Sequence, residues 1–310
     1  MTFAAGQRSL RGDNPHVLHH LSNVDLHCHS EVSDGTLTPE ALAWRARDHG
    51  VACWALTDHD EVDGLARARA AAREHGLPFL TGTELSVTFA GVTVHIVGLG
   101  FDPDHPALNE GLRRIRAGRE TRARAMADGL ASVGIRGAFE GACRYVSNPD
   151  LISRTHFARF LVERGICLDT SEVFRHYLVE GKPGYVPHEW AKLGDAVRWI
   201  VDAGGLAVIA HPARYRFSPT AEYALFSEFK EHGGEGVEVI TGSHSSADAL
   251  KYADTAREFG LYASRGSDFH APGESRCDLG QLPDLPGKLE PVWMPLLDRV
   301  IWPERSTAAA

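Results

Sequence analysis

Imidazoles and carboxylates recur along this chain at spacings that suit metal coordination. His27 and His29 flank Cys28, Asp34 follows in a Ser-Asp-Gly turn, and Thr57-Asp58-His59-Asp60 repeats the mixture. Glu84, His95, His211-Pro212 and Asp268-Phe269-His270 extend it. Side chains two apart on a strand share a face, so His27 and His29 can address one ion while Cys28 points away. Asp268 and His270 repeat that relation. Imidazole with carboxylate, and no thiolate, suits zinc, manganese or iron(II). A glutamate such as Glu84 can bridge two ions that histidine also holds. Taken singly, His95 or His211 reads as a hydrogen-bonded core histidine, and Asp34 or Asp60 as a turn or helix cap. As a set, so many buried polar groups without a cation would carry a heavy desolvation cost.

These residues need strands to deliver them. Strand-like and helix-like segments alternate: strands at about 23–29, 51–57, 78–85, 92–100, 206–210, 236–241 and 261–264, with amphipathic helices between most of them. Thr38-Pro39-Glu40 opens a helix that Gly50 stops, and Phe89-Ala90-Gly91 joins the third and fourth strands. About seven βα-type units imply a parallel sheet, open or closed into a barrel. The candidate ligands fall at or just beyond the C-terminal strand ends, the edge where such sheets bind ligands. Between about 107 and 178 only helical periods occur, with Arg113, Arg114, Arg116, Arg119, Arg122 and Arg124 along one of them. That series reads as a solvated helix face, with attraction of an anionic substrate as the other use.

The expected organisation is a leader at 1–22, a barrel from 23–104 and 190–285, a helical insertion at 105–189 and a tail at 286–310. The leader histidines His16, His19 and His20 read as solvated, and the leader lacks the apolar core of a signal peptide. No apolar run is long enough to span a bilayer. A net charge of -9 opposes an extended nucleic-acid surface, though not a nucleotide or a strand end held at a metal cluster. Cys28, Cys53, Cys143, Cys167 and Cys277 show neither zinc-ribbon nor disulfide-frame spacing, so a cytoplasmic location is the default.

The motifs Asp-Leu-His-Cys-His-Ser (25–30), Thr-Asp-His-Asp (57–60), Gly-Thr-Glu-Leu-Ser (82–86), Ala-His-Pro (210–212) and Gly-Ser-Asp-Phe-His (266–270) resemble, in order, those of the PHP (polymerase and histidinol phosphatase) superfamily. The resemblance implies an α/β fold, a distorted (β/α)7 barrel with a helical insertion domain, and two or three divalent ions (Mn2+, Zn2+ or Fe2+). It assigns His27, His29, Glu84 and Asp268 to a first ion, and Glu84, His95 and His211 to a second. Asp34, His59 and His270 fall to a third; some relatives carry histidine where Asp34 stands. Ile152-Ser153-Arg154-Thr155-His156-Phe157 and Gly181-Lys182-Pro183-Gly184-Tyr185-Val186-Pro187 look like the stand-alone phosphoesterase branch, which acts on nucleoside 3',5'-bisphosphates and on 5' ends of short RNA.

The chemistry expected is hydrolysis of a phosphate ester by metal-activated hydroxide; no G-x-S-x-G nucleophile motif occurs. Catalysis is assigned to Glu84, Asp268, Asp58 and His244, the last as a substrate contact or proton donor to the leaving group. Asp58 and Asp60 are expected to orient ligating histidines. Arg154, His156, Lys182 and Arg265 are assigned to substrate, since guanidinium suits phosphate. The partner expected is a small phosphorylated substrate, a nucleotide or short RNA end, with no membrane. The alternatives are a small-metabolite phosphatase such as histidinol phosphatase, a metal-dependent amidohydrolase, which typically needs a carbamylated lysine or another bridging carboxylate, and a non-catalytic metal-binding module.

Overall fold

The computed structural model describes residues 22–303; the leader with His16, His19 and His20, and residues 304–310, lie outside the described residues. The core is a nearly closed, barrel-shaped sheet. Its strands are β1 (Val24–Asp25), β2 (Cys53–Leu56), β3 (Phe79–Phe89), β4 (Val92–Leu99), β5 (Ala191–Lys192), β6 (Leu206–Ile209), β7 (Gly236–Thr241) and β8 (Tyr262–Gly266). Neighbours run β1-β2-β3-β4-β6-β7-β8, with β5 paired to the far end of β3. Beyond β1 the chain continues alongside β8: the Leu26 N–H donates to Arg265 O at 3.1 Å and the His29 N–H to Phe269 O at 2.8 Å. That pairing brings the two sheet edges together.

One expectation is corrected. The sheet is not uniformly parallel, because β4 runs antiparallel to both β3 and β6. Ala90 and Gly91, at φ 48° and 77°, form a tight reversing turn that leaves no room for a crossover helix. The reversal matters for the site. His95 enters from the same rim that the parallel strands reach at their C-terminal ends, paired in register with Ser86.

Side-chain alternation divides the sheet residues between two cores. Cys53, Ala55, Leu80, Val97, Leu99 and Val208 fill the barrel, while Trp54, Leu56, Val94, Ile96 and Ile209 pack under the surrounding helices. Those helices start as their sequences require. Thr38 accepts the Ala41 N–H at 3.1 Å ahead of Pro39–Asp48, and Ser245 with Asp248 forms a capping box ahead of Ser246–Phe259. The segment expected to be a tail is integral through its described part. Val292, Trp293, Leu296 and Val300 join the barrel interior, and Ile301 exchanges backbone hydrogen bonds with Phe79 at the start of β3.

Between β4 and β5 the chain is helical: Pro106–Arg116, Arg119–Ser132, Ala138–Cys143, Arg154–Glu163 and Thr170–Val173, then a π-helical turn Phe174–Leu178. Leu108, Leu112 and Ile115 of the first helix pack into the outer barrel core. The later helices share a separate core with Met126, Leu130, Phe157, Leu161 and Leu178. Among the described residues no helix is long and apolar enough to cross a membrane.

Candidate metal centre

Every ligand expected from the sequence arrives at one rim of the barrel. His27 Nε2 and His29 Nε2 stand 3.2 Å apart, and each lies 3.2–3.3 Å from Glu84 Oε2. Asp268 Oδ1 is 3.5 and 3.3 Å from the same two nitrogens. Two donors each about 2.1 Å from a tetrahedral ion are about 3.4 Å apart, so this quartet has the spacing of a shared cation. Glu84 Oε1 lies 2.9 Å from both His95 Nδ1 and His211 Nε2, and Glu84 Oε2 lies 2.9 Å from His59 Nδ1. Asp34 Oδ1 completes a third group, 3.4 Å from His270 Nε2 and 3.8 Å from His59 Nε2. His29 falls within reach of that group as well.

Hydrogen bonding alone does not account for the cluster. Glu84 Oε2, Asp34 Oδ1 and His59 Nδ1 are buried and make no hydrogen bond of acceptable geometry, although each has a polar neighbour close by. Lone pairs that converge without aligning on a proton are what donors around a common cation present. The donor set of imidazole and carboxylate therefore suits divalent metal ions.

Further groups aim the ligands. Glu238, in the buried run Gly-Val-Glu-Val-Ile-Thr of β7, accepts from His27 Nδ1 at 2.7 Å and from the His211 N–H at 2.6 Å. One carboxylate thereby fixes the ring of one ligand and the backbone of another. Tyr215 Oη lies 3.2 Å from His211 Nδ1, and His270 Nδ1 donates to Asp268 O at 2.9 Å, leaving Nε2 for the centre. His211 and Asp268 adopt φ of 27° and 54°, strain held in place by these contacts. Glu238 and Tyr215 were missed from sequence; an acid in the middle of an apolar strand was the available signal.

Charge is distributed to match. Burial pushes the Glu84 carboxyl up, but His95, His27 and His59 outweigh it and hold it well below the carboxylate range. Burial likewise opposes ionisation of Asp268, and Arg214 with His27 and His270 prevails. His211 is driven down to about 3 by burial and by Arg214, so its lone pair is free. Burial disfavours a charged His29, yet the close Asp268 and Glu84 carboxylates raise it to about 10. A cation taking that place would displace the proton, coupling metal uptake to pH.

Above the cluster opens a cavity of about 600 Å³ lined by Arg119, Arg122, Arg154 and Arg214 as well as by ligand residues. The arginine series read as one solvated face is divided. Arg113, Arg114 and Arg124 pair with Glu110 or Glu120 in solvent. Arg116 reaches inward to Asp60 O and Glu61, and Arg119 is bound to the buried Asp60 carboxylate. Arg122 donates to Val186 O; burial, with Arg154 and Arg119 close by, lowers it to about 9. Arg154 is lowered too, first by burial. Guanidiniums crowded at a cavity wall leave a positive potential that an anion would relieve.

Several assigned roles do not survive these contacts. Asp58 accepts from the Ser30 N–H and from the Ser30 and Ser33 hydroxyls at 2.6–2.7 Å, so it shapes the loop and touches no ligating imidazole. Asp60 binds Ser86 and Arg119 instead of a histidine. Arg265 points away from the cavity and donates to Pro283 O, Val24 O and Leu282 O. His156 is buried with Nδ1 spent on the Ser153 N–H as a helix cap, and burial lowers it to about 4. His244 lies behind the wall, with Nδ1 donating to Val239 O and Nε2 accepting from the Ala213 N–H. Lys182 is exposed in a turn and is absent from the cavity lining. Of the residues assigned to substrate, Arg154 alone lines the cavity.

A barrel whose rim gathers histidines and acids around buried, unpartnered oxygen atoms presents, at one solvent-open site, a donor set suited to divalent metal ions. Residues 25–133 match the PHP domain. The chain is 54% identical to the 3',5'-nucleoside bisphosphate phosphatase of Chromobacterium violaceum over 91% of its length and 99% of that protein. It is 41% identical to the 5'-3' exoribonuclease Rnm of Escherichia coli, over 87% of this chain and 92% of that one. A solved structure of an amidohydrolase from Chromobacterium violaceum, with sulfate bound and no metal, superposes with a TM-score of 0.89 at 54% identity, covering 92% of this chain and 99% of the other. The chain belongs to the PHP family.

Proposed function

We propose that this chain is a metal-dependent phosphoesterase that hydrolyses nucleotides carrying a second phosphate, nucleoside 3',5'-bisphosphates or the 5' ends of short RNA. The observation that carries the reading is the union, in one cavity, of a His/Asp/Glu cluster and a wall of Arg119, Arg122 and Arg154. Relatives named as a nucleoside bisphosphate phosphatase and as an exoribonuclease support it. Two or three ions, manganese, zinc or iron(II), would suit the donors: His27, His29, Glu84 and Asp268 would hold one, Glu84, His95 and His211 a second, and Asp34, His59 and His270 a third. When bound, such ions activate water near neutral pH and neutralise phosphoryl charge.

The protein's own groups do the rest. Arg214 donates to Asp268 Oδ2 at 2.8 Å and faces the cavity, so it grips the reacting phosphoryl group. Arg122 and Arg154 hold the second phosphate, with Arg119 braced between Asp60 and Trp190 beside them. Glu238 and Tyr215 keep the imidazoles in register. A metabolite with one phosphate, such as histidinol phosphate, leaves the wall unmatched. A carbamylated-lysine bridge, one form of the amidohydrolase reading, lacks its lysine, since no lysine lines the cavity among the described residues. Free thiols and a nucleotide substrate fit a cytoplasmic setting.

The test is phosphate release by the manganese-loaded protein from adenosine 3',5'-bisphosphate, adenosine 3'-monophosphate and histidinol phosphate. The reading expects the bisphosphate to lead in kcat/KM. Equal or better turnover of histidinol phosphate would overturn it.

A further inference from the structure

Resting on the nucleotide reading, we propose that Phe174 is the platform on which the substrate's base stacks. The aromatic residues of the cavity wall are Phe174, Trp190 and Tyr215. Trp190 is committed: Arg119 and Arg122 lie over its ring at 4.8 and 5.3 Å, His188 meets it edge-on at 4.2 Å, and its indole N–H donates to Thr93 Oγ1. Tyr215 is committed to His211 and Ala210 through its hydroxyl, and its ring packs against His211 and Phe217. Phe174 is half-buried, packs on one side against the core of the later helices, and carries one guanidinium, Arg154, over its ring at 5.7 Å, where Trp190 carries two at closer range. The ring therefore adjoins the arginines read as the second-phosphate clamp. In a nucleotide one ribose carries both base and phosphate, so a platform beside the clamp is where a base arrives.

The backbone presents Phe174 by an unusual device. The helix Thr170–Val173 passes into a π-turn in which the Val179 N–H donates to Phe174 O, five residues back. Such turns cost local regularity and recur at functional sites. The polar side chains nearby in the wall, Thr155, Thr170 and Ser171, carry hydroxyls that donate and accept alike. The platform accordingly accepts any base by its face and reads none by its edge.

The test compares kcat/KM for adenosine 3',5'-bisphosphate with that for 1,4-anhydroribitol 3,5-bisphosphate, which keeps both phosphates and lacks a base. Wild type should favour the nucleotide by about 5- to 150-fold, the span that base–aromatic stacking covers. Phe174→Ala should collapse that ratio toward one, and Phe174→Trp should retain it. The ratio within one preparation is independent of how much of a variant folds. A preference that survives Phe174→Ala, or one absent from wild type that turns over both compounds, overturns the platform alone. Failure of wild type to hydrolyse either compound overturns the nucleotide reading and the platform with it.

Discussion

The metal rim and the arginine wall face each other across one cavity, yet they are built by opposite means. Among the rim ligands Glu84 and His95 stand within β3 and β4 and the others follow strand ends on loops, and their carboxylates lie within a few ångströms of imidazoles. Wall cations come from two helices, Arg119–Ser132 and Arg154–Glu163; Arg119 is paired with the buried Asp60, and Arg122 and Arg154 crowd beside it. The rim is complete in its own donors apart from cations. The wall awaits an anion. A substrate with two phosphates answers both demands at once, and the variants below separate them.

Glu84→Gln should break the rim. Losing the bridging carboxylate is expected to lower kcat/KM by about 10³-fold or more, several kcal/mol of transition-state stabilisation. Metal analysis should find at least one ion fewer per chain, with Arg122 and Arg154 undisturbed. Acid sensitivity should also separate the two regions. His156 is buried with its pKa lowered to about 4, below the ordinary value of 6.5, so the unfolded chain binds the extra proton between those values. Stability is therefore lost as pH falls through that window and is flat above it, by up to about 3 kcal/mol from this residue. His156→Asn, which keeps an acceptor for the Ser153 N–H, should remove that slope in denaturant melts of the metal-free protein.

Arg122→Met should weaken the wall and spare the rim. The expected loss is about 10- to 100-fold in kcat/KM on the bisphosphate, the worth of a charge-assisted bond, with metal content unchanged. A monophosphate substrate should be less affected. Glu238→Gln should lower manganese affinity by about 10-fold, measured by competition with a chelator, because it loosens His27 and the His211 backbone together. Arg113→Ala is the control. Its guanidinium pairs with Glu110 in solvent, and kcat/KM should move by less than about twofold.

The same division decides what the sequence made legible. H-x-H on extended chain puts both side chains on one face by the period of two, so His27 and His29 could be grouped before any fold was known; the same reading of D-x-H fails, because Asp268 turns at φ 54° and joins His27 and His29 while His270 joins Asp34 and His59. A barrel of about seven units, and the helix Pro39–Asp48 opened by Thr38 and stopped before Gly50, followed from hydrophobic period and caps. The antiparallel β4 did not, because the count of βα units overrode the meaning of a two-residue turn at Ala90-Gly91. On helices the face that looks inward depends on packing, so Arg113 and Arg122 read alike although one meets water and the other the cavity. Acids were ambiguous for a related reason. Asp58, Asp60 and Glu238 are all buried beside ligands, and only Glu238 touches imidazole, since backbone amides and serine hydroxyls compete for the other two.

Anomalous diffraction from crystals grown with manganese and adenosine 5'-monophosphate addresses the two-pole account most directly. The expected map has at least two manganese peaks bonded to Glu84, one also touching His27 and His29, and the 5' phosphate lying against Arg122 and Arg154. Peaks that avoid Glu84, or a phosphate bound away from both arginines with the metal cluster filled, would contradict it.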